Sequence, residues 1–496
     1  MPLFKNTKNI RRLLAVRSAL DMSQREMAQD LGVVHGALAQ WEAGRSRIPG
    51  PVLKLISLYE VELGLNDSSM QENIPISRLS RALQVAKAGR VFGTDAFVGA
   101  LQNIFFTEKE MNPIRAKARE QIAQQMVKIL GQLKGLPQKL GQLYSYLHFS
   151  LDPEEKKEYT QLQNQAPCLP PSRIVDVIVE EFGKTPRQLF KEWESQPLAS
   201  ASIGQVHQAI LKDGTSVVVK VQYPGIVQAL KNDFSNAALL EALVRKVIRG
   251  QKPYLVQEIK ERFVEECDYL SEAQHQEVFR KRFLKDKRIY IPQIYPTYTT
   301  SKVLTMDYAS GQTLYEYISQ ASLKERNQHG EAIVDFYIRS LFEYREFHTD
   351  PHPGNFLFTE DHVTILDFGC IKKLKKTDFE EWKILIKALI QENKKSVIQS
   401  LMDLGVFSKN KKIDQDYFYN LLREVVEPFW YDGLYEFQRE KFAKIWNIFL
   451  YQNPNYQETN LPREHFFLNK MLWGVYGLLT DLQVKVNWHR RVRDHF

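Results

Sequence analysis

The sequence predicts a bilobal α+β protein that is preceded by a small all-α unit and a helical extension. Its 496 residues are too many for one ordinary domain, so roughly two to four folding units are expected. Residues 160–307 mix helices with short β-branched runs, whereas residues 78–147 and 314–496 have mainly helical periodicity. Helices, then a mixed sheet, then more helices are typical of an α+β protein with two lobes.

The composition is that of a globular protein with a modest basic excess. Hydrophobic residues make up 44 % and charged residues 25 %, and the net charge of +8 permits an anionic partner such as DNA, a nucleotide or a membrane surface. The cysteines, Cys168, Cys267 and Cys370, are too sparse for a disulfide framework. No secretory signal or membrane-length apolar run is evident, so a cytoplasmic location is expected, with peripheral membrane contact left open.

The first unit, residues 1–66, has the spacing of two short helices joined by a tight turn. Ser23 and Glu26 match a capping box, and Gly32 supplies the turn. Leu38 and Trp41 are placed to pack the second helix across the first. The stretch resembles the helix-turn-helix of Cro and the phage repressors.

Such a unit can bind duplex DNA or act as a protein-contact module, and both interpretations stay open. Gln40 suits adenine recognition in the major groove, since a carboxamide can bind adenine through two hydrogen bonds. Arginines beside the helices are placed to contact phosphate. The candidate DNA-contact residues are Arg25, His35, Gln40, Arg45 and Arg47.

A linker at residues 67–95 and a helical extension at residues 96–160 are expected next. The stretch "LNDSSMQENIP" has turn composition. Farther on, leucines recur at three- and four-residue steps from Leu133 to Leu147, which predicts a buried helical stripe. Lys139 and Gln142 fall beside that stripe, and Gly141 between them allows close approach.

The stretch 197–225 predicts a β-hairpin that carries one lysine among valines. "VHQAIL" and "SVVVKVQ" are strand-like and are joined by "KDGT", a strong hairpin signal. Lys220 alternates with the valines, and a buried ammonium needs an anionic partner; the alternative is a lysine that reaches solvent at a strand edge. The hairpin follows a loop of small residues whose amides can approach phosphate: Ala199, Ser200, Ala201, Ser202, Ile203 and Gly204.

The stretch "EFHTDPHPGNF" and the "DFG" that follows it have the spacing of a kinase catalytic loop. Asp350 and Asn355 match D-x-x-x-x-N, and Asp367 opens the DFG sequence after a second predicted hairpin. A triphosphate requires charge neutralisation, so Asn355 and Asp367 are the predicted Mg²⁺ ligands. Asp350 is placed to accept or orient the proton of an attacking hydroxyl or water.

A zinc site is the competing interpretation of the same stretch. His348 and His352 have the i, i+4 spacing of a helical zinc pair, but Pro351 and Pro353 prevent a continuous helix. The histidines are therefore expected to orient the loop by hydrogen bonding.

Taken together, these motifs resemble the UbiB/AarF family of atypical, protein-kinase-like enzymes that are linked to ubiquinone biosynthesis. The resemblance is carried by "LKGLPQKLGQLYS", "PLASASIGQVH", "VVVKVQYPGI", "EECDYLSEA", "VLTMDYASGQTL", "FHTDPHPGN" and "LDFG". It implies a bilobal protein-kinase-like fold, with an N-lobe at 161–310 and a C-lobe at 311–496. It also implies that ATP or ADP binds with Mg²⁺.

The resemblance further implies individual roles. Lys220 would pair with the nucleotide phosphates and with a helix carboxylate, for which Glu272 is the choice. Lys139, Gly141 and Gln142 match the family's K-x-G-Q motif, which folds over the active site in relatives. The remaining implied nucleotide-site residues are Glu266 and Asp268 of the E-x-D motif, and Met306, Asp307 and Tyr308 as the adenine-facing hinge.

Three functions are compatible with the sequence. The leading one is an ATP- and Mg²⁺-dependent kinase or ATPase in isoprenoid-quinone or lipid metabolism, with lipid or quinone intermediates as partners and the acceptor open. The second is a DNA-binding regulator whose kinase-like part senses nucleotide or lipid, for which a homodimer on paired half-sites would be suitable. The third is a pseudokinase scaffold, which the complete set of metal ligands disfavours.

Overall fold

The computed structural model describes residues 7–20, 22–31, 33–43, 45–49, 51–53, 55–56, 168–201, 203–235, 265–407, 413–448, 452–455 and 463–495. The predicted linker and the helical extension with Lys139, Gly141 and Gln142 lie outside these residues, as do Gly32 and Ser202. Among the described helices, none has the length and apolar run that crossing a bilayer requires.

The N-terminal residues form short helices around a small apolar core: α1 (Thr7–Ala19), α2 (Gln24–Asp30) and α3 (His35–Glu42). The capping box is present, because the Ser23 side chain accepts from the Glu26 amide and the Glu26 carboxylate accepts from the Ser23 amide. Leu38 and Trp41 are buried against the other two helices. The helix boundaries agree with the sequence, and the assignment to the helix-turn-helix class stays a prediction.

The first lobe is built on a five-stranded antiparallel sheet, with order β1-β3-β4-β6 and β2 added beside β3. Its strands are β1 (Glu192–Trp193), β2 (Ala199–Ser200), β3 (Gly204–Ile210), β4 (Ser216–Gln222) and β6 (Val303–Asp307). Its helices are α4 (Pro171–Phe182), α5 (Pro186–Leu189), α6 (Ile226–Ser235) and α7 (Tyr269–Phe283). The predicted hairpin is β3–β4, in which Val206 faces Lys220.

The two faces of this sheet have different roles. Val217, Val219 and Val221 are fully buried and share an apolar cluster with residues of α4. The opposite face presents Lys220 to α7, because side chains alternate along a strand. The valine run thus fixes the strand while the lysine faces the second lobe.

The second lobe consists of helices and short two- and three-residue strands. Its helices are α8 (Leu314–Ile318), α9 (Leu323–Tyr344), α10 (Lys376–Ile390), α11 (Lys394–Asp403), α12 (Gln415–Val425), α13 (Glu427–Trp430), α14 (Arg439–Asn447), α15 (Arg463–Leu482) and α16 (Trp488–Val492). Its strands are β7 (Glu346–His348), β8 (Phe356–Phe358), β9 (Val363–Ile365), β10 (Ile371–Lys373), β11 (Tyr435–Glu436) and β12 (Lys485–Val486). Strand β5 (Ile289–Tyr290) runs parallel to β9.

Two small sheets bring the predicted catalytic segments together. Strands β8 and β9 form the hairpin expected between Asn355 and Asp367. Strand β10 follows the DFG sequence and pairs antiparallel with β7, which precedes Asp350. Helix α10 begins three residues after β10 ends, so the connection between the DFG sequence and the next helix is short.

Candidate active site

Lys220 lies between two carboxylates that come from different segments of the chain. Its Nζ is 2.8 Å and 3.0 Å from the two carboxylate oxygens of Glu272, in the first turn of α7. The same Nζ is 3.5 Å from Oδ2 of Asp367. The lysine side chain is 14 % exposed and that of Glu272 is 2 % exposed. The structure therefore pairs Lys220 with Glu272, and the strand-edge lysine that reaches solvent is excluded.

Burial and charge act in opposite directions in this pair. Burial alone would lower the pKa of Lys220, but the Glu272 and Asp367 carboxylates hold that pKa well above its usual value. Burial raises the pKa of Glu272, and the Lys220 ammonium counteracts that rise. The Lys220 ammonium also lies 5.0 Å from the ring centre of Tyr269, whose own pKa is raised by burial. Lys220 is thus a fixed positive charge at the interface of the lobes.

The two acidic residues of the E-x-D motif begin the helix that carries Glu272. Asp268 is the N-cap of α7, and its carboxylate accepts from the amide of Leu270 at 3.1 Å. Glu266 is half-buried one turn earlier and contributes to the raised pKa of Glu272. The structure therefore places Asp268 as a helix cap and Glu266 near the buried pair.

The catalytic loop and the DFG segment are connected by hydrogen bonds to main-chain oxygens. The side-chain Nδ2 of Asn355 donates to the main-chain oxygen of Asp350 at 2.9 Å, and the main-chain amide of Leu366 donates to the main-chain oxygen of Asn355 at 3.0 Å. The Asp367 carboxylate accepts from the Gly369 amide at 2.9 Å. These bonds hold Asp350, Asn355 and Asp367 in one cluster although the sequence separates them.

Asp350 has a partner that the sequence did not indicate. Lys470 on α15 places its Nζ 2.9 Å from Oδ1 of Asp350. The two residues are 120 positions apart, and "FFLNKMLWG" contains no motif that marks its lysine. Only the folding of α15 beside the catalytic loop reveals the contact.

The two histidines of the loop form hydrogen bonds that orient the loop. His348 is fully buried, and its Nδ1 is 3.1 Å from the Tyr337 hydroxyl. Burial lowers the pKa of His348, which favours the neutral imidazole. His352 accepts from the Gly354 amide through Nδ1 at 3.0 Å. No group of three potential metal ligands of the His/Cys/Asp/Glu type occurs among the described residues.

The alanine-rich loop forms a tight turn whose side chains do not all face one way. Ala199 and Ser200 form β2, and the Ala201 amide donates to the Gly204 main-chain oxygen at 2.8 Å. The side chain of Ile203 is only 3 % exposed and belongs to the core between the sheet and α6. The turn directs the Ile203 side chain inward, so any contact of this residue with phosphate would be through its main-chain amide, and that role stays a prediction.

The side chains of the predicted hinge have different surroundings. Met306 is buried, and its sulfur accepts from the Gln276 side-chain amide at 3.5 Å. The Asp307 carboxylate accepts from the hydroxyls of Tyr290 and Tyr295 at 2.8 Å and 2.7 Å. Tyr308 is 39 % exposed. The Met306 and Asp307 side chains are thus engaged within the fold, and the adenine-facing role of the segment stays a prediction.

The candidate DNA-contact residues lie on the surface of the N-terminal helices. Arg25 and Gln40 are exposed on α2 and α3, and His35 is exposed at the start of α3. Arg45 and Arg47 are exposed in the segment after α3. Their exposure is compatible with contact to a large partner and does not identify that partner.

A strand lysine paired with a helix glutamate, opposite a DFG aspartate and a D-x-x-x-x-N loop, defines a protein-kinase-like fold and site. Residues 161–401 match the family model described as the ABC1 atypical kinase-like domain. Over these residues the chain is similar to the ABC1/UbiB family of atypical kinases.

Several relatives and one solved structure are similar to large parts of this chain. The rat protein "Atypical kinase COQ8B, mitochondrial" is 29 % identical over 437 residues, covering 85 % of this chain and 81 % of that protein. Arabidopsis thaliana "Protein ACTIVITY OF BC1 COMPLEX KINASE 7, chloroplastic" is 31 % identical over 297 residues, which span 58 % of this chain and 43 % of that protein. Mycobacterium tuberculosis Rv3197, solved in complex with erythromycin, superimposes with a TM-score of 0.57 and 25 % identity, covering 78 % of this chain and 98 % of that one.

Proposed function

We propose that this protein is an atypical kinase or ATPase that binds ATP or ADP with Mg²⁺ and acts in isoprenoid-quinone or lipid metabolism. The observation that carries the proposal is the position of Lys220, with its ammonium within 3.5 Å of both Glu272 and Asp367. That position joins the first lobe to the DFG segment, as phosphoryl transfer to or from a nucleotide requires. The names of the COQ8 relatives support the link to quinone metabolism.

The residues fit a magnesium–nucleotide complex by the chemistry of their donors. Asn355 and Asp367 supply the amide and carboxylate oxygens that a hard divalent cation prefers, and they are neighbours in the fold. When bound, Mg²⁺ neutralises phosphate charge and polarises the phosphoryl group. Lys220 is held charged by its carboxylate partners, so it can bind the α/β-phosphates without a change of protonation.

Asp350 has the role of the proton acceptor. Its carboxylate accepts or orients the proton of the attacking hydroxyl or water while the new oxygen–phosphorus bond forms. The Asn355 amide fixes the main chain of Asp350, and Lys470 holds one of its carboxylate oxygens. Activity measurements distinguish water from a hydroxyl group as the phosphoryl acceptor.

Thermal stabilisation by nucleotide tests the binding step. Millimolar ATP or ADP should raise the melting temperature only when Mg²⁺ is present, and Asp367→Asn should abolish that rise because one metal ligand is lost. Asp361→Asn, in the exposed turn of the β8–β9 hairpin, is the matched control and should keep the rise. A wild-type protein that is not stabilised under these conditions would contradict the proposal.

Phosphate release tests the chemical step. Wild type and Asp350→Asn should be compared with and without lipid vesicles and duplex DNA. Release that requires Asp350 supports an enzyme, and stimulation by vesicles supports action at a lipid surface from a cytoplasmic location. Stable Mg²⁺-nucleotide binding with no release by the wild type would instead favour the pseudokinase scaffold.

A second candidate function is DNA binding by residues 1–66. It rests on the resemblance of this unit to a helix-turn-helix, and the predicted contact side chains are exposed on and beside α2 and α3, as DNA contact would require. Binding to duplex DNA should weaken steeply with salt, and Gln40→Ala should weaken binding at one sequence but not at others. No retardation of duplex DNA at low salt would remove this function and leave the protein-contact module.

A further inference from the structure

The ion pair between Lys470 and Asp350 links the C-terminal part of the chain to the catalytic loop. The Lys470 side chain is 20 % exposed and that of Asp350 is 26 % exposed, so water screens the pair only in part. Their separation of 2.9 Å is that of a charge-assisted hydrogen bond. The contact lies beside the Lys220 cluster, and both Asp350 and Asp367 act electrostatically on the buried His348.

Helix α15 gives this lysine a rigid support. Leu468 and Met471, on either side of Lys470, are 1 % and 2 % exposed and belong to the main core of the second lobe. Three residues before Lys470, the ring of Phe467 lies 5.2 Å from the ammonium of Lys372 in β10. Helix α15 thus contacts both the catalytic loop and the strand that follows the DFG segment, so its lysine is held at a defined position.

We infer that Lys470 is a positioning residue for Asp350 in phosphoryl transfer, an inference that rests on the proposed function. By binding one carboxylate oxygen, the ammonium restricts rotation of the Asp350 carboxylate and so fixes its orientation in the catalytic loop. In the step itself the acceptor oxygen bonds to the γ-phosphorus, the bond to the leaving nucleoside diphosphate breaks, and the acceptor proton moves to Asp350. Lys470 takes no proton and touches Asp350 rather than the reacting atoms.

Steady-state kinetics of Lys470→Met test this role. We expect kcat to fall about 10- to 100-fold, the usual effect of removing a partner that orients a functional group, while KM for the nucleotide changes less than about threefold. Lys470→Arg keeps a cation that can reach Asp350 and should recover kcat to within about fivefold of wild type. A rise in KM with unchanged kcat would overturn the inference, since it would make Lys470 a ground-state binding group.

Arg439→Met is the matched control for a loss of helix anchoring. Arg439 on α14 lies 3.1 Å from Asp481 near the end of α15, so its removal breaks another ion pair of the same helix. This variant should melt earlier than wild type and retain kcat within about twofold. Equal losses of kcat in Arg439→Met and Lys470→Met would show that only helix stability matters, and would refute the positioning role.

A thermal double-mutant cycle separates this inference from the proposed function. Asp350→Asn, Lys470→Met and the double variant are melted without nucleotide in the full-length protein. If the Lys470 ammonium and the Asp350 carboxylate interact, Lys470→Met lowers the melting temperature of the wild-type protein but lowers that of the Asp350→Asn variant only slightly further. Additive shifts would refute the contact even if the enzyme is active. Conversely, a wild type without phosphate release would refute the proposed function while the cycle still decides the contact.

Discussion

Gly204, at the start of β3, has no room for a side chain, and this makes Gly204→Ala the most direct test of the geometry around Lys220. An ideal Cβ at this position would lie 2.3 Å from the main-chain oxygen of Val221 and 2.9 Å from the hydroxyl of Tyr269. The oxygen belongs to β4, which is enclosed by β3 and β6, and Val221 itself is fully buried. The strand therefore cannot move aside without disturbing the sheet that carries Lys220.

The size of the effect follows from these distances. Raising the contact from 2.3 Å to a tolerable separation of about 3.0 Å requires β3 and β4 to part by about 0.7 Å at this pair. Overpacking of this kind costs about 1–3 kcal/mol, and the upper half of that range applies because the obstructing atoms include main chain. A loss of about 2–3 kcal/mol corresponds to a melting temperature lower by roughly 4–12 °C for a lobe of this size.

The assay is thermal unfolding of Gly204→Ala beside Gly36→Ala, followed by Mg²⁺-nucleotide titration of both. Gly36 lies within α3 with no atom within 4 Å of its ideal Cβ, so alanine there should be neutral or slightly stabilising. Gly204→Ala should also bind nucleotide more weakly, because the shift occurs two residues from the partner of Lys220 in the β3–β4 ladder. Unchanged melting and unchanged affinity in Gly204→Ala would refute the close approach of the loop to β4.

Two further predictions concern stability. Burial lowers the pKa of His207 to about 4, so the folded state resists protonation that the unfolded chain accepts near pH 6.5. The free energy of unfolding should therefore be highest above pH 6.5 and fall by up to about 3 kcal/mol as the pH drops toward 4. His207→Gln should flatten this slope in pH-dependent denaturant melts, whereas an unchanged slope would assign it to other groups. Phe368 of the DFG sequence is fully buried, with its ring centre 5.3 Å from that of Phe279, so Phe368→Ala should lower the free energy of unfolding by about 3–5 kcal/mol. Leu434 is 65 % exposed, so Leu434→Ala is the control and should lower it little. Equal losses of stability in the two variants would show that Phe368 is not part of the core.

The sequence predicted the site best where the chemistry is local along the chain. Asp350, Asn355 and Asp367 follow from short spacings on a loop and on the segment after the next predicted hairpin, and the structure places them on either side of the β8–β9 hairpin. Glu272 was selected through the family resemblance, and the fold pairs it with Lys220 across 52 positions. A buried lysine on a valine-rich strand requires a carboxylate, but the requirement alone does not say which carboxylate it is.

A motif names residues without stating where their side chains point. Ile203 lies inside a loop of small residues, yet the tight turn buries it. Asp307 lies in the predicted hinge, yet its carboxylate is engaged by two tyrosine hydroxyls and a main-chain amide. Side-chain direction depends on the turn and on neighbouring strands, which single-sequence patterns do not contain.

By itself the sequence determined the order of the elements, the lysine that needs a carboxylate and the two loops that carry Asp350, Asn355 and Asp367. These features depend on alternation, turn chemistry and spacing within a few residues, which the local chain dictates. Only the tertiary structure decided that Lys470 meets Asp350 and that Ile203 and Asp307 serve the fold. Such contacts arise when distant segments pack together. The free energy that favours them comes from packing over the whole core and not from any one stretch of the sequence.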